Sequence, residues 1–356
     1  MSAAPDVTTG WGVELQPAGC PHCRAVFLVP LARVNGVCPN CFAANLAPQP
    51  ASLPAEAPEL LAPFAVTPAQ AAQALDQWAR RVWLRPRELN ASVLAGRLTP
   101  TFIPMWLVDG GVVGTWRAQM GYDYQVASAQ EMYQDRAWTT RQVAETRVRW
   151  EPRAGEVKRR YENQTTPALD QHRRLMAQIG DFALTRSFAY SAQALQGACA
   201  RTPNIAPDAA RPVVEQEFNR RAEGDCQAAA GAQHVEHWEL QAEYRDLNWT
   251  LLLLPLYTTA YTDEQGQVVP VLVHGQTGRI SGVKRASQKQ GLQIAIVFGL
   301  AALVLLLVGL VAALLAARAP LVECLALPAL LLGFAGAVAA PIPYVWAWQY
   351  NRNNTP

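Results

Sequence analysis

The residues with the clearest capacity for chemistry are cysteines, and four of the seven are paired by spacing: Cys20-Pro21-His22-Cys23 and Cys38-Pro39-Asn40-Cys41. A CxxC turn aims two thiolates at one point. Two such turns, 14 residues apart, close a tetrahedral site suited to structural Zn²⁺ with no position left for a substrate. Cys20, Cys23, Cys38 and Cys41 are therefore the expected metal ligands. A disulfide pair and a redox CxxC are the competing readings. A reducing compartment opposes the first, and the presence of two knuckles opposes the second. His22 reads as a solvent-facing knuckle residue, since four thiolates complete the site without it. Between the knuckles, Ala25–Val29 and Arg33–Val37 read as the short strands of a zinc ribbon turned at Asn35-Gly36. So small a segment buries little, and metal binding is expected to supply its folding energy.

The other candidates carry less. Gly275-Gln276-Thr277-Gly278 has the glycines of a phosphate loop but lacks the lysine, and reads as a hairpin turn. His234, His237 and Cys226 could be assembled as ligands, yet the histidines read as surface residues and Cys226 as part of a loop near Gly224. Asp109 and Asp123 are a conceivable carboxylate pair, with structural acids bonding turn amides as the blander reading. Cys199 and Cys324 read as small apolar fillers. No Gly-x-Ser-x-Gly, no His-Glu-x-x-His and no nucleotide fingerprint occurs. No reaction follows from these residues.

What must position them is organised by the C-terminal end. The chain is uncharged from Ile294 to Ala317 and again from Leu325 to Trp348, each run reaching about 36 Å as a helix against a hydrocarbon core of about 30 Å. Two transmembrane helices joined by a tight turn at Arg318-Ala319-Pro320 are expected. Lys284, Arg285, Lys289 and Arg352 flank them, so the positive-inside rule keeps both termini cytoplasmic. Pro328, Pro341 and Pro343 should bend the second span, Tyr344, Trp346, Trp348 and Tyr350 suit the headgroup belt, and Glu323 reads as an interfacial acid. Gly299, Gly309, Gly333 and Gly336 would allow close helix contact. The opening Met1 to Thr9 has neither a basic start nor an apolar core, and is not read as a secretory signal.

The fold expected is multidomain α+β. Residues 1–45 form a zinc ribbon, 46–66 a Pro/Ala-rich linker, 67–283 a cytoplasmic domain and 284–350 the helical hairpin. A helix opens with Thr67 as N-cap and Pro68 at its first position, running to about Trp83. From Thr101 the pattern turns to antiparallel strands, Phe102–Asp109, Val112–Gln119, Ala144–Trp150 and Val157–Asn163, with breaks at Gly110-Gly111 and Pro152–Gly155. Ala168–Ala200 reads as a helical insert and Arg211–Glu223 as a helix. Strands return at Trp238–Tyr244, Leu251–Tyr257 and Val268–His274. Ile103-Pro104-Met105-Trp106 and Leu254-Pro255-Leu256-Tyr257 suggest two related β units. A net charge of +2 makes no electrostatic case for nucleic acid.

The order of double-CxxC ribbon, Trp78-to-Arg87 helix end, the strand Ile103-Pro104-Met105-Trp106-Leu107-Val108-Asp109, the turn His274-Gly275-Gln276-Thr277-Gly278 and terminal apolar segment resembles a family of bacterial membrane proteins with a transcription-factor-IIB-type zinc ribbon. His274 stands where that pattern has Asn. The resemblance implies a tethered scaffold, working with stomatin/flotillin-like or phage-shock-type membrane proteins, and no established reaction. The expected function is a non-catalytic adaptor in the inner (cytoplasmic) membrane, its soluble part facing the cytoplasm. In this reading a ribbon held out on the proline-rich arm docks a protein partner, and the chain can oligomerise. The alternative is a nucleic-acid-binding tether, for which the ribbon offers only Arg24 and Arg33 with Phe27 and Phe42.

Overall fold

A computed structural model describes residues 11–12, 15–50, 57–134, 137–195, 197–316 and 323–354. The turn Arg318-Ala319-Pro320 and the side chains of Glu323 and Cys324 lie outside the described residues, as does 51–56 of the linker. In chain order the strands are β1 (Leu15–Gly19), β2 (Val26–Pro30), β3 (Ala47–Pro48), β4 (Leu60–Leu61), β5 (Thr99–Gln134), β6 (Ala137–Pro167), β7 (Phe188–Ala189), β8 (Cys199–Arg201), β9 (His234–Thr262), β10 (Val268–His274) and β11 (Ile280–Gly282). The helices are α1 (Pro68–Arg80), α2 (Ala91–Gly96), α3 (His172–Ile179), α4 (Pro207–Ala230), α5 (Gln288–Ala316), α6 (Glu323–Ala339) and α7 (Ile342–Asn353). All 11 strands join one largely antiparallel sheet, in an α+β arrangement with two compact units. One comprises Met1–Ile103, Arg174–Thr202 and Leu253–Pro356, the other Pro104–Arg173 and Pro203–Leu252. Strands β5 and β9 run from one unit into the other.

In the first unit, Thr67 caps α1 through a capping box with Gln70, and Pro68 occupies the first turn. Ala71, Leu75 and Ala79 face inward and join Leu84, Leu89, Leu94, Tyr257, Tyr261, Val271 and Val273 in one core. Ala347 of α7 is buried in this core, with Ile294, Trp346 and Tyr350 packed on it. The inner ends of the apolar helices are thus part of the same core as the sheet. Trp346 meets Trp83 with ring centroids 5.2 Å apart and stacks on Tyr350 at 5.0 Å. Of the aromatic exit expected at the headgroup belt, these two rings are instead taken by protein, whereas Tyr344 and Trp348 stay exposed.

Two segments, Gln288–Leu315 and Leu325–Asn353, are long and apolar enough to cross a membrane, and only 11% and 17% of their apolar windows are buried inside the protein. Helices that filled a soluble core would be mostly covered; these present Leu and Val outward. The second segment breaks between Ala339 and Ile342 at Pro341, as a missing N–H requires. The helices meet through small residues. A Cβ on Gly333 would lie 2.9 Å from Leu306 N, one on Gly309 2.9 Å from Leu330 N, and one on Gly336 3.1 Å from Ala302.

An acid ties the sheet end to α2 in this unit. The Glu88 carboxylate accepts from Arg97 Nη1 at 2.9 Å and from Thr262 N at 2.8 Å, which holds it well below the usual carboxylate range, at about 2. A depressed folded pKa means stability present above the unfolded value near 4.3 and lost as pH falls towards 2. The side chain is 38% exposed, so screening leaves about 1 kcal/mol. We expect Glu88→Gln to melt a few degrees below wild type at pH 6. The gap should narrow below about pH 4.3 and close only at about pH 2. A gap of equal size at both pH values would show that the carboxylate charge is not what matters.

The second unit departs most from the strand pattern read in the sequence. Strands β5 and β6 form one hairpin paired continuously from Met105↔Pro167 to Gln134↔Ala137, shifted only by a bulge between Val108 and Gly110. Gly110-Gly111 does not end a strand, and Pro152–Gly155 is not a turn: Pro152 sits opposite Gln119 and Gly155 opposite Trp116. Strand β6 pairs with β5 alone, and an edge position is where a residue without an N–H is tolerated. Helix α4 is longer than Arg211–Glu223 and buries Val214, Phe218, Ala222 and Cys226 along one face. Cys226 is thus a helical core residue, not a loop residue. Ala168–Ala200, most of which belongs to the first unit, is helical only in pieces: the short α3, 3₁₀ turns at Leu184–Arg186 and Ala192–Leu195, and between and after these the strands β7 and β8.

Candidate metal centre

The two knuckles are built alike. Cys20 follows β1, its N–H donates to Ala25 O at 2.9 Å, and Arg24 N donates back to Cys20 O at 3.0 Å. In the second knuckle Cys38 N donates to Ala44 O at 3.0 Å and Phe42 N to Cys38 O at 3.0 Å. Arg24 and Phe42, each just after the second cysteine of its pair, both adopt the left-handed region, at φ 58° and 54°. This repeated turn aims each thiol pair inward. The strands around them differ from those expected. β2 pairs with β1, ahead of the first knuckle, from Leu15↔Pro30 to Gly19↔Val26. The stretch expected as a second strand, Arg33–Val37, forms a 3₁₀ turn at Leu31–Arg33 and a single bridge at Val37.

The four Sγ atoms lie within 4.8 Å of one another, with Cys20 to Cys41 at 3.6 Å and Cys23 to Cys38 at 3.7 Å. A tetrahedron of thiolates at about 2.3 Å from a central ion has edges of about 3.8 Å. The geometry therefore fits one metal ion, with every position filled by protein. All six described cysteines are free. Cys20 and Cys38 are buried, at 3% and 0% exposure. Burial pushes the Cys38 and Cys41 thiols up. Cys23 is also opposed by burial, but hydrogen bonds, first among them that from Asn40, bring it down to about 7. Four thiolates in so small a volume require a cation to stay charged together.

Around the sulfurs lies a second set of groups. Cys23 N points at Cys20 Sγ at 3.5 Å, Asn40 N at Cys38 Sγ at 3.4 Å, and Asn40 Nδ2 at Cys23 Sγ at 3.5 Å. Arg201 Nη1 donates to Asn40 Oδ1 at 3.2 Å, and Arg201 is 4% exposed. A buried guanidinium thus orients the amide that faces Cys23, and its positive charge would offset the net negative charge of four thiolates around a divalent ion. Arg201 comes from β8, whose partners are β2 on one side (Phe27↔Arg201) and β5 on the other (Thr101↔Cys199, parallel). The cysteine-bearing segment is accordingly not held out on an arm. Within its unit it is stitched into the sheet, and Cys199 shares its small core with Ala18, Phe27, Val29 and Leu46. Sequence reasoning missed Asn40 and Arg201; nothing local to Arg201 marks it, since its partner is 161 residues away.

His22 is exposed, as a knuckle residue outside the sulfur tetrahedron should be. No family model matches this chain, and no curated protein or solved structure matches it either. What supports the resemblance to zinc-ribbon proteins is therefore the cysteine cluster itself.

The other candidates are not brought together. Asp109 Oδ1 accepts Asn163 N at 2.7 Å across the bulge, while Asp123 pairs with His234 Nε2 at 2.8 Å. Fourteen residues apart on one strand, the two acids are separated by about 46 Å. His237 is exposed and Cys226 buried in α4. The Gly275–Gly278 segment is the turn between β10 and β11, with Gly278 N donating to His274 O at 2.9 Å and Gly278 at φ 72°. His274 is buried, stacks on Phe182 at 4.0 Å, and accepts at Nδ1 from Gln276 N at 3.0 Å. Burial holds it below its ordinary range, so the neutral ring caps the turn. In the second unit a cavity of about 700 Å³ is lined by His172, Arg173, Glu217, Arg220 and Trp238 among others. Glu217 there is engaged by Arg220 Nε at 3.0 Å, and among the described residues no hydroxyl or thiol donates to a histidine or carboxylate in it.

Proposed function

We propose that this chain is a non-catalytic adaptor of the inner (cytoplasmic) membrane, anchored by a two-helix hairpin with both termini cytoplasmic, whose structural zinc ribbon docks a protein partner. Zinc is the ion chosen because a closed set of four thiolates suits a redox-inert tetrahedral ion. The observation that carries the reading is that the cysteine site and the apolar helices belong to one packed unit, joined through β2, β8, β5, β9 and the core on α7. A docked partner would thereby be held at the membrane. Apolar side chains on the cysteine-bearing segment, Leu31 at 63% exposure and Val37 at 55%, support protein over nucleic acid as the occupant. A cavity of about 460 Å³ beside them, lined by Arg33, Val37, Phe42, Leu98 and Val268, has room for an apolar side chain of that partner.

The test places a photocrosslinking amino acid at Val37 in the full-length protein in its own membranes, beside Leu31→Glu. A protein adduct at Val37 that is lost with Leu31→Glu, while metal content stays unchanged, is the expected outcome. An adduct to nucleic acid would replace this reading with a nucleic-acid tether, and no adduct at all would remove the docking role from the ribbon.

A further inference from the structure

Beyond Gly121 the β5–β6 hairpin loses its third strand. Gln233, just before β9, donates its N–H to Gly121 O at 3.0 Å, and past Asp123, which still meets Gln233 and His234, β6 is the only strand paired with β5 among the described residues. From Ala137 to Trp150 every residue of β6 is exposed, on both faces. Trp138, Val143, Val148 and Trp150 stand at 36–70% exposure. A two-stranded ribbon bare on both faces is marginal in water. Its outer edges also present rows of unpaired N–H and C=O groups, which a third strand would satisfy.

The charges on β6 select which strand. One face of β6 carries Arg141, Val143, Glu145, Arg147, Arg149, Glu151 and Arg153 in succession. Let a second copy of β6 pair with it antiparallel about a two-fold axis at Thr146. Arg141 then faces Glu151 of the other copy and Glu145 faces Arg147. Symmetry doubles these to four opposite-charge pairs, and no like charges meet. On the other face Ala144 meets Val148 and Gln142 meets Trp150. Moving the axis one residue to Glu145 sets Glu145 against itself and Arg141 against Arg149. Moving it to Arg147 sets Arg147 against itself and Arg141 against Arg153. Like charges directly opposite on a sheet are destabilising. The free edge of β5 offers no such solution, for its bare length carries Asp123 and Glu131 and no cation.

We propose that the chain self-associates through the outer edge of β6, two copies pairing antiparallel in the register centred on Thr146, so that the ribbons form a four-stranded sheet. This goes beyond the adaptor reading and stands without it.

The experiment follows the oligomeric state of the full-length protein in detergent micelles by analytical ultracentrifugation over a concentration series. Wild type is expected to dimerise. Arg141→Glu places two like-charge pairs in the interface and is expected to weaken the dimer by about tenfold or more. Adding Glu151→Arg in the same chain is expected to restore it. The two positions are about 33 Å apart along one strand, so they cannot meet within a chain, and recovery reports contact between chains. Thr146→Cys, on the axis, is expected to crosslink to itself under oxidation in membranes, whereas Thr139→Cys, which faces Arg153 of the other copy, is not. Wild type that stays monomeric throughout would overturn the proposal, as would a dimer indifferent to Arg141→Glu or a double variant no tighter than the single one.

Discussion

Purified full-length protein is expected to carry about one metal ion per chain, and Cys38→Ser to carry almost none. Cys38 is fully buried, 3.7 Å from Cys23 Sγ, and its sulfur accepts the Asn40 amide. Serine leaves three thiolates around an ion that requires four, with a hydroxyl that neither charges nor reaches as far. Structural four-ligand sites contribute on the order of 10–16 kcal/mol at neutral pH, and that energy is coupled here to β2, β8 and the buried Arg201. The loss should therefore spread beyond the knuckles. Limited proteolysis of Cys38→Ser is expected to cut rapidly both near Phe27 and near Arg201, two sites far apart in sequence. His22→Ser, outside the tetrahedron, should retain metal and resist protease as wild type does. Full metal content in Cys38→Ser, by elemental analysis, would exclude the site as drawn.

Gly114→Ala is expected to prevent the second unit from folding, at a cost of several kcal/mol. A Cβ there would overlap the Gln241 carbonyl oxygen and lie 2.6 Å from Ala242 Cα. Both are backbone and cannot swing aside, so β5 and β9 would have to part. Gly111→Ala is the matched control, because its Cβ would find Arg245 O at an ordinary 3.6 Å, and we expect it within about 1 kcal/mol of wild type. The comparison is read from thermal melting and protease resistance of the two variants. Equal behaviour would mean that the strands do not approach as closely as described at position 114.

These two sites illustrate what a sequence discloses here and what it withholds. The cysteine cluster was legible because metal geometry constrains residues three apart, and the α1 start because Thr67, Pro68 and Gln70 act within one turn. The apolar helices were legible from composition alone. Nothing local identifies Arg201 as the cation beside the cluster, or β8 as a three-residue strand, since pairing with Phe27 and Thr101 decides both. Pro152 and Gly155 imitate a turn in sequence. They sit inside a strand because β6 is an edge, where a missing N–H costs nothing. Cys226 beside Gly224 resembled a loop until the packing of α4 on Val214, Phe218 and Ala222 placed it in the core.

The insertion of β8 between β2 and β5 also orders events during synthesis. β2 leaves the ribosome with one sheet neighbour, β1, while its other neighbour lies 174 residues downstream, from Phe27 to its partner Arg201. At 5–20 residues per second that interval lasts roughly 10–35 s. During it the nascent chain exposes an unpaired strand next to four reactive thiols. A knuckle pair that captures its ion at once would shield those thiols from oxidation and hold β1 and β2 in register until β8 is translated.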